Sequence, residues 1–419
     1  MNCTSKTIIS GWLFLLLVTP LYYFANLQKV IIPGAAFDEL QQTFSLDAAG
    51  VTRLGAVFLG VYAAAQLIIG VLADRYGGAR VIISGGLIFC VGSIFSAFSS
   101  NLYLLYFCRF LTGAGAASIY LSMVKEFSRI APDSITMLLG VATIIGYSGS
   151  ITGAAPFIAG VDRFGYFTMV LAAGIVTLFS YLLYVIFACK NGFIPVKREV
   201  RFSVSGYLSV FRSRQNCCLI FAIGISFGTY FALQSTVGKK FLEDFCDLSG
   251  DASGIVLTVT MLIAAINGFI MANVSRKIGN RRLPVIIFYG CGCFIGAVLI
   301  LGGVFFETGS AVPISGMILL AFAGNISPIY VALLNESNDE NCFGTVVCVG
   351  NCFAYAVSAA FSGGAGKLMD IFAPQIVDGI KIYGRNSYLL VFLAMAVLGA
   401  VAAVLSCCAK ESFGKKINR

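Results

Sequence analysis

The sequence predicts an all-α membrane protein of twelve transmembrane helices in two pseudo-symmetric six-helix bundles. Three observations carry that prediction. The 419 residues are 58% hydrophobic and 11% charged, whereas soluble domains carry about 25% charged residues. The apolar runs are about 20 residues or longer, which suits helices crossing the hydrocarbon core rather than the ~10-residue alternating strands of a barrel. A polar motif also comes back: "DRYGGAR" at 74–80 is echoed by "RKIGNRR" at 276–282, beginning 202 residues later.

Taken in order, spans are expected at roughly 8–32, 51–73, 80–99, 102–124, 135–160, 167–189, 216–238, 252–274, 284–305, 311–334, 343–366 and 386–408. The first has the look of a signal peptide, but its apolar core is too long and it lacks a clear small-x-small cleavage site, so it is expected to be retained as a span. The longest polar stretch between spans is "KNGFIPVKREVRFSVSGYLSVFRSRQ" at 190–215. It divides the chain into a bundle over 1–189, a central loop over 190–215 and a second bundle over 216–419.

Charge sets the expected orientation. With the N-terminus in the cytoplasm, the inward segments hold 19 of the 28 Lys and Arg residues, as the positive-inside rule requires. Both termini are then cytoplasmic, in a multi-pass protein of a plasma or inner membrane. The net charge of +9 reads as topology and contact with anionic lipid, not nucleic-acid binding. The 14 cysteines lie mostly inside apolar runs and there is no histidine. No disulfide framework, metal-ligand spacing or cofactor motif follows, and no nucleophile or metal constellation points to an enzyme. A soluble output domain, which a membrane sensor usually carries, does not fit in the loops.

Several motifs resemble those of the major facilitator superfamily. "GVLADRYGGAR" (70–80) is similar to its loop signature G-x-L-x-D-R-x-G-x-x-R through Gly70, Asp74, Arg75, Gly77 and Arg80. "RFLTGAG" (109–115) resembles the span-4 signature, with Thr112 where glutamine is common. "GSITGAAP" (149–156) partly resembles the span-5 signature of drug antiporters, with Ala154 at the place of a proline. "GTVVCVGNCFAYAVSAAFSGGAGKLMD" (344–370) resembles a span-11 pattern, with Asn351 at its asparagine. The resemblance implies alternating access by rocking of two bundles, with Gly70, Asp74, Arg75, Gly77, Arg80, Lys125, Glu126, Arg276 and Glu336 as conformational gating residues. Arg276 stands where the first repeat has Asp74. One fold hosts many cargoes, so the resemblance names no solute.

Polar side chains within the spans are the candidate solute contacts. Tyr22, Asn26 and Lys29 share one face of span 1; Tyr62 and Gln66 share one of span 2; Arg109, Thr112 and Tyr120 share one of span 4. Tyr230, Gln234, Asn267, Asn325, Asn351 and Tyr355 are the matching set in the second half. Arg109 is the sharpest of these, because a charge at the bilayer centre costs roughly 2.5–3.5 kcal/mol on insertion scales. It can snorkel to the interface, donate to backbone carbonyls of span 1 or to Asn26, or hold an anionic solute with Lys29 beside it. No aspartate or glutamate is expected mid-span; Asp38, Glu39, Asp162, Glu243 and Asp244 are expected at outer edges. Proton coupling therefore has no mid-span carboxylate behind it, and a coupling proton or ion stays open as a partner. The expected function is secondary or facilitative transport of a small organic solute, anionic or zwitterionic, by a monomer. The alternatives are a drug-type exporter and a transporter-like sensor.

Overall fold

The computed structural model describes residues 3–131, 134–190, 204–324, 328–377 and 379–416. Among them, eleven helices are long and apolar enough to cross a membrane, and a bent pair makes a twelfth span. The chain forms two compact units. The first holds residues up to Ile32 and then Val57–Phe202; the second holds Pro33–Ala56 and Ser203–Arg419.

The first unit is built from α1 (Cys3–Val30), most of α3 (Ala48–Tyr76), α4 (Gly78–Ala97), α5 (Leu102–Ile130), α6 (Ile135–Thr152), α7 (Ala155–Phe164) and α8 (Tyr166–Lys190). Between α1 and α3 lies α2 (Phe37–Phe44), which packs in the second unit. The pair α6–α7, bent by 41°, is the one that makes twelve when counted as a single span. Pro156 opens α7, where its missing N–H is harmless. Asn101 starts α5 by accepting from Leu104 N at 2.8 Å.

Small residues let α4 and α5 meet backbone to backbone. A Cβ on Gly115 would stand 2.6 Å from the Gly85 carbonyl oxygen. The second unit repeats the device between α13 (Leu283–Phe305) and α14 (Ala311–Ala323), where a Cβ on Gly316 would stand 2.7 Å from Gly296 O. Without a hydrophobic force between helices in lipid, such close approach is what holds neighbours together.

The remaining helices of the second unit are α9 (Val204–Ser209), α10 (Arg214–Ala232), α11 (Gly238–Asp244), α12 (Gly250–Lys277), α15 (Pro328–Ser337), α16 (Glu340–Met369) and α17 (Arg385–Cys407). A two-stranded antiparallel hairpin, β1 (Gln375–Val377) with β2 (Ile380–Ile382), precedes α17. Nothing in the sequence pattern announced it, since a three-residue strand carries too little alternation to read.

The repeat of 202 residues reaches into the backbone. A π-helical turn follows α1 at Ile31–Ala35 and another follows α10 at Leu233–Val237. The short helices α2 and α11 come next, and then the long helices α3 and α12. Positive-φ glycines, Gly77 and Gly279, stand at the same offset after those long helices.

Span 7 departs from expectation. It runs through α10, the π turn and α11 to Asp244 instead of ending near 238. Glu243 and Asp244 are therefore half-buried residues at the end of a span rather than groups of an outer loop. The extra turns hide in "GKKFLED", whose charges mask a helix with Phe241 and Leu242 fully buried.

Candidate functional site

The first unit gathers its predicted polar side chains around the break in α1. Pro33 disfavours helical geometry in its predecessor, and Ile32 is extended there, with φ −124° and ψ 112°. Its carbonyl leaves the helical ladder. Arg109, 0% exposed, takes it: Nη2 donates to Ile32 O at 2.8 Å and Nη1 to Gln28 O at 3.1 Å. The guanidinium also lies 4.3 Å from the centroid of the Phe58 ring. Gly113, one turn on, brings α5 against α3, since a Cβ there would stand 2.6 Å from Phe58 O. Arg109 is enclosed by protein and fastens the broken end of span 1, a job its planar fork of donors suits.

Lys29 lies one helical turn before the break. Its ammonium is 3.3 Å from Asn26 Oδ1 and 4.2 Å from the centroid of Tyr62, which places it against an aromatic face. Asn26 Nδ2 donates to Tyr22 O at 2.9 Å. Tyr22 stacks on Tyr120 with centroids 5.3 Å apart. Tyr62 stacks on Phe58 at 6.2 Å. Gln66 is buried one turn along α3, and Thr112 Oγ1 donates back to Cys108 O at 2.6 Å. Two cations and four aromatic rings from α1, α3 and α5 thus share one region of the first unit.

The second unit presents a different surface. Tyr230 OH donates to Thr260 O at 3.4 Å, and Gln234 Nε2 donates to Thr260 Oγ1. Asn267 Nδ2 donates to Phe322 O and to Tyr289 OH. Tyr355 packs edge-on against Phe227 and Phe231, at 5.3 and 5.9 Å. Asn351 lies half-buried on α16, one turn from Tyr355. Asn325 lies outside the described residues. Phe227 and Phe231 were not singled out from sequence, although their i, i+4 spacing on α10 was the available signal.

The gating candidates cluster at helix ends. In the first unit Asp74 forms an ion pair with Lys125. Glu126, fully buried, accepts from Ala79 N at 3.1 Å and pairs with Arg129 at 2.6 Å. Lys125 and Glu126, neighbours in sequence, therefore serve different partners. Gly77 turns the chain with φ +85°. Gly70 lies in the body of α3, and Arg75 rests against Tyr76 at 5.4 Å. Arg80 lines a small cleft with Leu72, Tyr76 and Ser84.

In the second unit Glu336, at the end of α15, pairs with Arg282 at 3.1 Å. Arg276, at the position that Asp74 holds in the first repeat, donates to Asn273 Oδ1. Glu411 bridges Arg282 N and Leu283 N at 2.9 and 3.0 Å. Burial pushes its carboxyl up, but those two N–H groups with Phe413 N and Ser412 N outweigh that and hold it below the usual range.

Another polar cluster was missed by sequence reasoning. Lys240, 1% exposed, sits between two carboxylates, at 2.7 Å from Asp38 Oδ1 and 2.9 Å from Asp244 Oδ1. The i, i+4 spacing of Lys240 and Asp244 could have found half of it. Among the described residues no group of three or more Cys, Asp or Glu side chains could hold a metal ion.

A "multi-drug resistance efflux pump PmrA" of Streptococcus pneumoniae is 27% identical over 225 residues, covering 52% of this chain and 55% of that protein. Human "monocarboxylate transporter 11" is 30% identical over 146 residues, covering 35% and 31%. The chain thus spans about half, or less, of the length of these curated relatives. Among solved structures, a "nucleoside transporter NupG" matches 94% of this chain and 99% of its own, with TM-score 0.72 at 14% identity. A "D-xylose-proton symporter" matches 98% and 100%, with TM-score 0.73 at 14% identity. Those identities speak to the fold alone. The family model described as "Major Facilitator Superfamily" matches residues 14–363, so a chain with two compact units and a repeated break after its first and seventh spans belongs to the Major Facilitator Superfamily.

Proposed function

We propose that this protein carries a small organic anion or zwitterion across a membrane by alternating access, and is not an enzyme. The observation that supports the solute class is the cationic and aromatic cluster of the first unit. Lys29 lies against Tyr62 beside the Tyr22–Tyr120 stack, at a break in span 1 fixed by Arg109. A carboxylate can approach an ammonium while an apolar body lies on the rings. Tyr22, Asn26, Lys29, Tyr62, Gln66 and Tyr120 are the proposed contacts from this unit. Tyr230, Gln234, Asn267, Asn325, Asn351 and Tyr355 are those from the second. Arg109 positions the break. Relatives named as monocarboxylate transporters and a "4-hydroxybenzoate transporter PcaK" of Pseudomonas aeruginosa fit this class.

The positive-inside pattern supports cytoplasmic termini in a plasma or inner membrane, and a single chain supplies both units, which suits a monomer. A drug-type exporter is the second reading, favoured by relatives named as multidrug pumps, although "GSITGAAP" departs from the drug-antiporter signature at Ala154.

Uptake into proteoliposomes tests both. Labelled pyruvate and 4-hydroxybenzoate should enter and compete with each other, whereas xylose and ethidium should not compete. Ethidium transport without carboxylate transport would overturn the anion reading and establish the exporter.

A further inference from the structure

The loop 276–282 and the segment that follows α17 are braided together at one end of the second unit. Glu411 accepts from Arg282 N and Leu283 N at 2.9 and 3.0 Å, which seats residues 408–416 on the start of α13. A Cβ on Gly414 would stand 3.0 Å from Asn280 Cβ, so the two segments also touch further along. Gln215 Nε2 donates to Lys410 O at 3.0 Å and Gln215 Oε1 accepts from Lys410 N at 2.8 Å, tying the same segment to the start of α10.

Charge on this surface is mostly of one sign. Residues 276–282 hold four cations and no acid, whereas the equivalent residues 74–80 hold two cations and an aspartate. Residues 409–416 add Lys410, Lys415 and Lys416 against a single acid, Glu411. That acid is spent on backbone amides, and Glu336 is spent on Arg282 and the Ser412 hydroxyl. Arg276 donates to Asn273, and Lys416 to the carbonyls of Asn335 and Asn338. Lys277, Arg281, Lys410 and Lys415 remain. All four are exposed, and none forms an ion pair with another described residue. Like charges held on one fixed surface repel, and a counter-charge from outside the chain relieves them.

Two apolar side chains stand among these cations. Ile278 is 41% exposed and Phe413 56%. Phe413 has φ +52°, a left-handed geometry that is costly for a bulky residue. Its amide donates to Glu411 at 3.2 Å and Gly414 N donates to Ser412 Oγ at 3.4 Å, so the turn that holds the ring out is itself braced. The adjoining surface is apolar as well. α13 begins here and α17 ends here, and the two pack tightly: a Cβ on Gly399 would stand 2.8 Å from Phe294 Cα. Both expose apolar faces, through Phe288, Ile295 and Val298 on α13 and Val397, Val401 and Val404 on α17. In a membrane span such faces lie against acyl chains. A soluble acidic partner would meet the cations and leave Phe413 and Ile278 in water; a phospholipid uses both.

We propose that residues 276–282 and 408–416 form one binding surface for anionic phospholipid. Lys277, Arg281, Lys410 and Lys415 meet the headgroups, while Phe413 and Ile278 reach the acyl boundary. Each cation held at an anionic membrane surface strengthens the attraction about fivefold. The surface lies wholly within the second unit and is independent of which solute is carried.

Fluorescence quenching in full-length protein tests it. Trp12 is the single tryptophan of the chain, so with Trp12→Phe the indole introduced by Phe413→Trp reports alone. The protein is placed in liposomes whose brominated chains are carried either by phosphatidylglycerol or by phosphatidylcholine. Phosphatidylglycerol should quench with an apparent preference of about fivefold or more at equal mole fraction. Lys277→Gln, Arg281→Gln, Lys410→Gln and Lys415→Gln together should abolish that preference. Arg163→Gln, at an exposed cation of the first unit, should leave it unchanged. Equal quenching by the two lipids overturns the proposal. Absence of quenching by either overturns it as well and points to a soluble acidic partner. If the fourfold variant does not reconstitute, Arg281→Gln and Lys415→Gln decide singly. Each should lower the preference about twofold or more, and no change in either overturns the surface.

Discussion

The breaks after α1 and after α10 occupy equivalent positions in the two repeats, 202 residues apart, and they are built differently. In the first, Pro33 removes an N–H and drives Ile32 into extended geometry. In the second, "LQSTV" has no proline, and the backbone keeps a π turn flanked by helical residues. There a loosened carbonyl finds a local partner, as Ser235 OH donates to Phe231 O at 2.7 Å; the Thr236 hydroxyl meets Ser362 of α16 at 3.0 Å. The proline-broken turn cannot repair itself this way, and a guanidinium from α5 does it instead. Chemistry diverges with the backbone. Lys29 stands where the second repeat has Phe231, so one break carries a cation and the other an aromatic wall. Duplication conserves where a helix opens; the side chains decide what each opening can bind.

The largest expected effect comes from removing the outside help. Arg109→Met leaves the Gln28 and Ile32 carbonyls buried without their donors, at about 1–3 kcal/mol each. It should lower the melting temperature and abolish uptake. Arg109→Lys keeps the charge but loses the fork, and should still cut uptake at least about tenfold. Unchanged melting and uptake in Arg109→Lys would erase the contrast between the two breaks.

Next comes the asymmetry of charge. Lys29→Ala should weaken binding of anionic solutes by roughly tenfold, about 1.4 kcal/mol, and affect neutral ones less. Phe231→Ala should weaken both alike. Equal losses for anions and neutral analogues in Lys29→Ala, read by competition for uptake, would remove the electrostatic difference between the halves.

A smaller effect is expected at the helix ends. Asp74 is partnered by Lys125 in the first unit, while Arg276 at the equivalent position donates to Asn273. Asp74→Asn should slow turnover and leave solute affinity nearly unchanged, whereas Arg276→Gln should do little. Loss of binding with normal turnover in Asp74→Asn would refute the gating assignment.

The smallest effect concerns Glu411. In the first unit a glutamate at the end of α5, Glu126, accepts from the start of α4. In the second, Glu336 at the end of α15 is occupied by Arg282, and the tail residue Glu411 receives the first amides of α13. Its carboxyl is held below the ordinary value. Its contribution is therefore complete above the unfolded glutamate pKa of about 4.3 and is lost as pH falls through the lowered folded value. Glu411→Gln should melt slightly lower than the unsubstituted protein at pH 7, and the gap should close well below pH 4. A gap that grew on acidification would have the wrong sign.

By itself the sequence determined the class of fold, the twelve spans and the two-fold repeat, because hydrophobic length and motif offset are one-dimensional quantities. It also marked Arg109, Lys29 and Asp74, since a charge in or beside an apolar run needs a partner wherever the chain goes. It could not say which partner. Arg109 ends on the Ile32 carbonyl, 77 residues away, and Lys240 on Asp38, roughly a half-chain apart. Nor could hydropathy show that span 7 continues through "GKKFLED": a charged stretch scores as loop until an opposing carboxylate neutralises its lysine, and that carboxylate arrives from another helix. Residues 33–56 follow the first span in sequence and the second unit in packing for the same reason. Spacing along a helix fixes which side chains share a face; only the tertiary structure decides what stands opposite that face, because desolvated charges and opened carbonyls are satisfied across space.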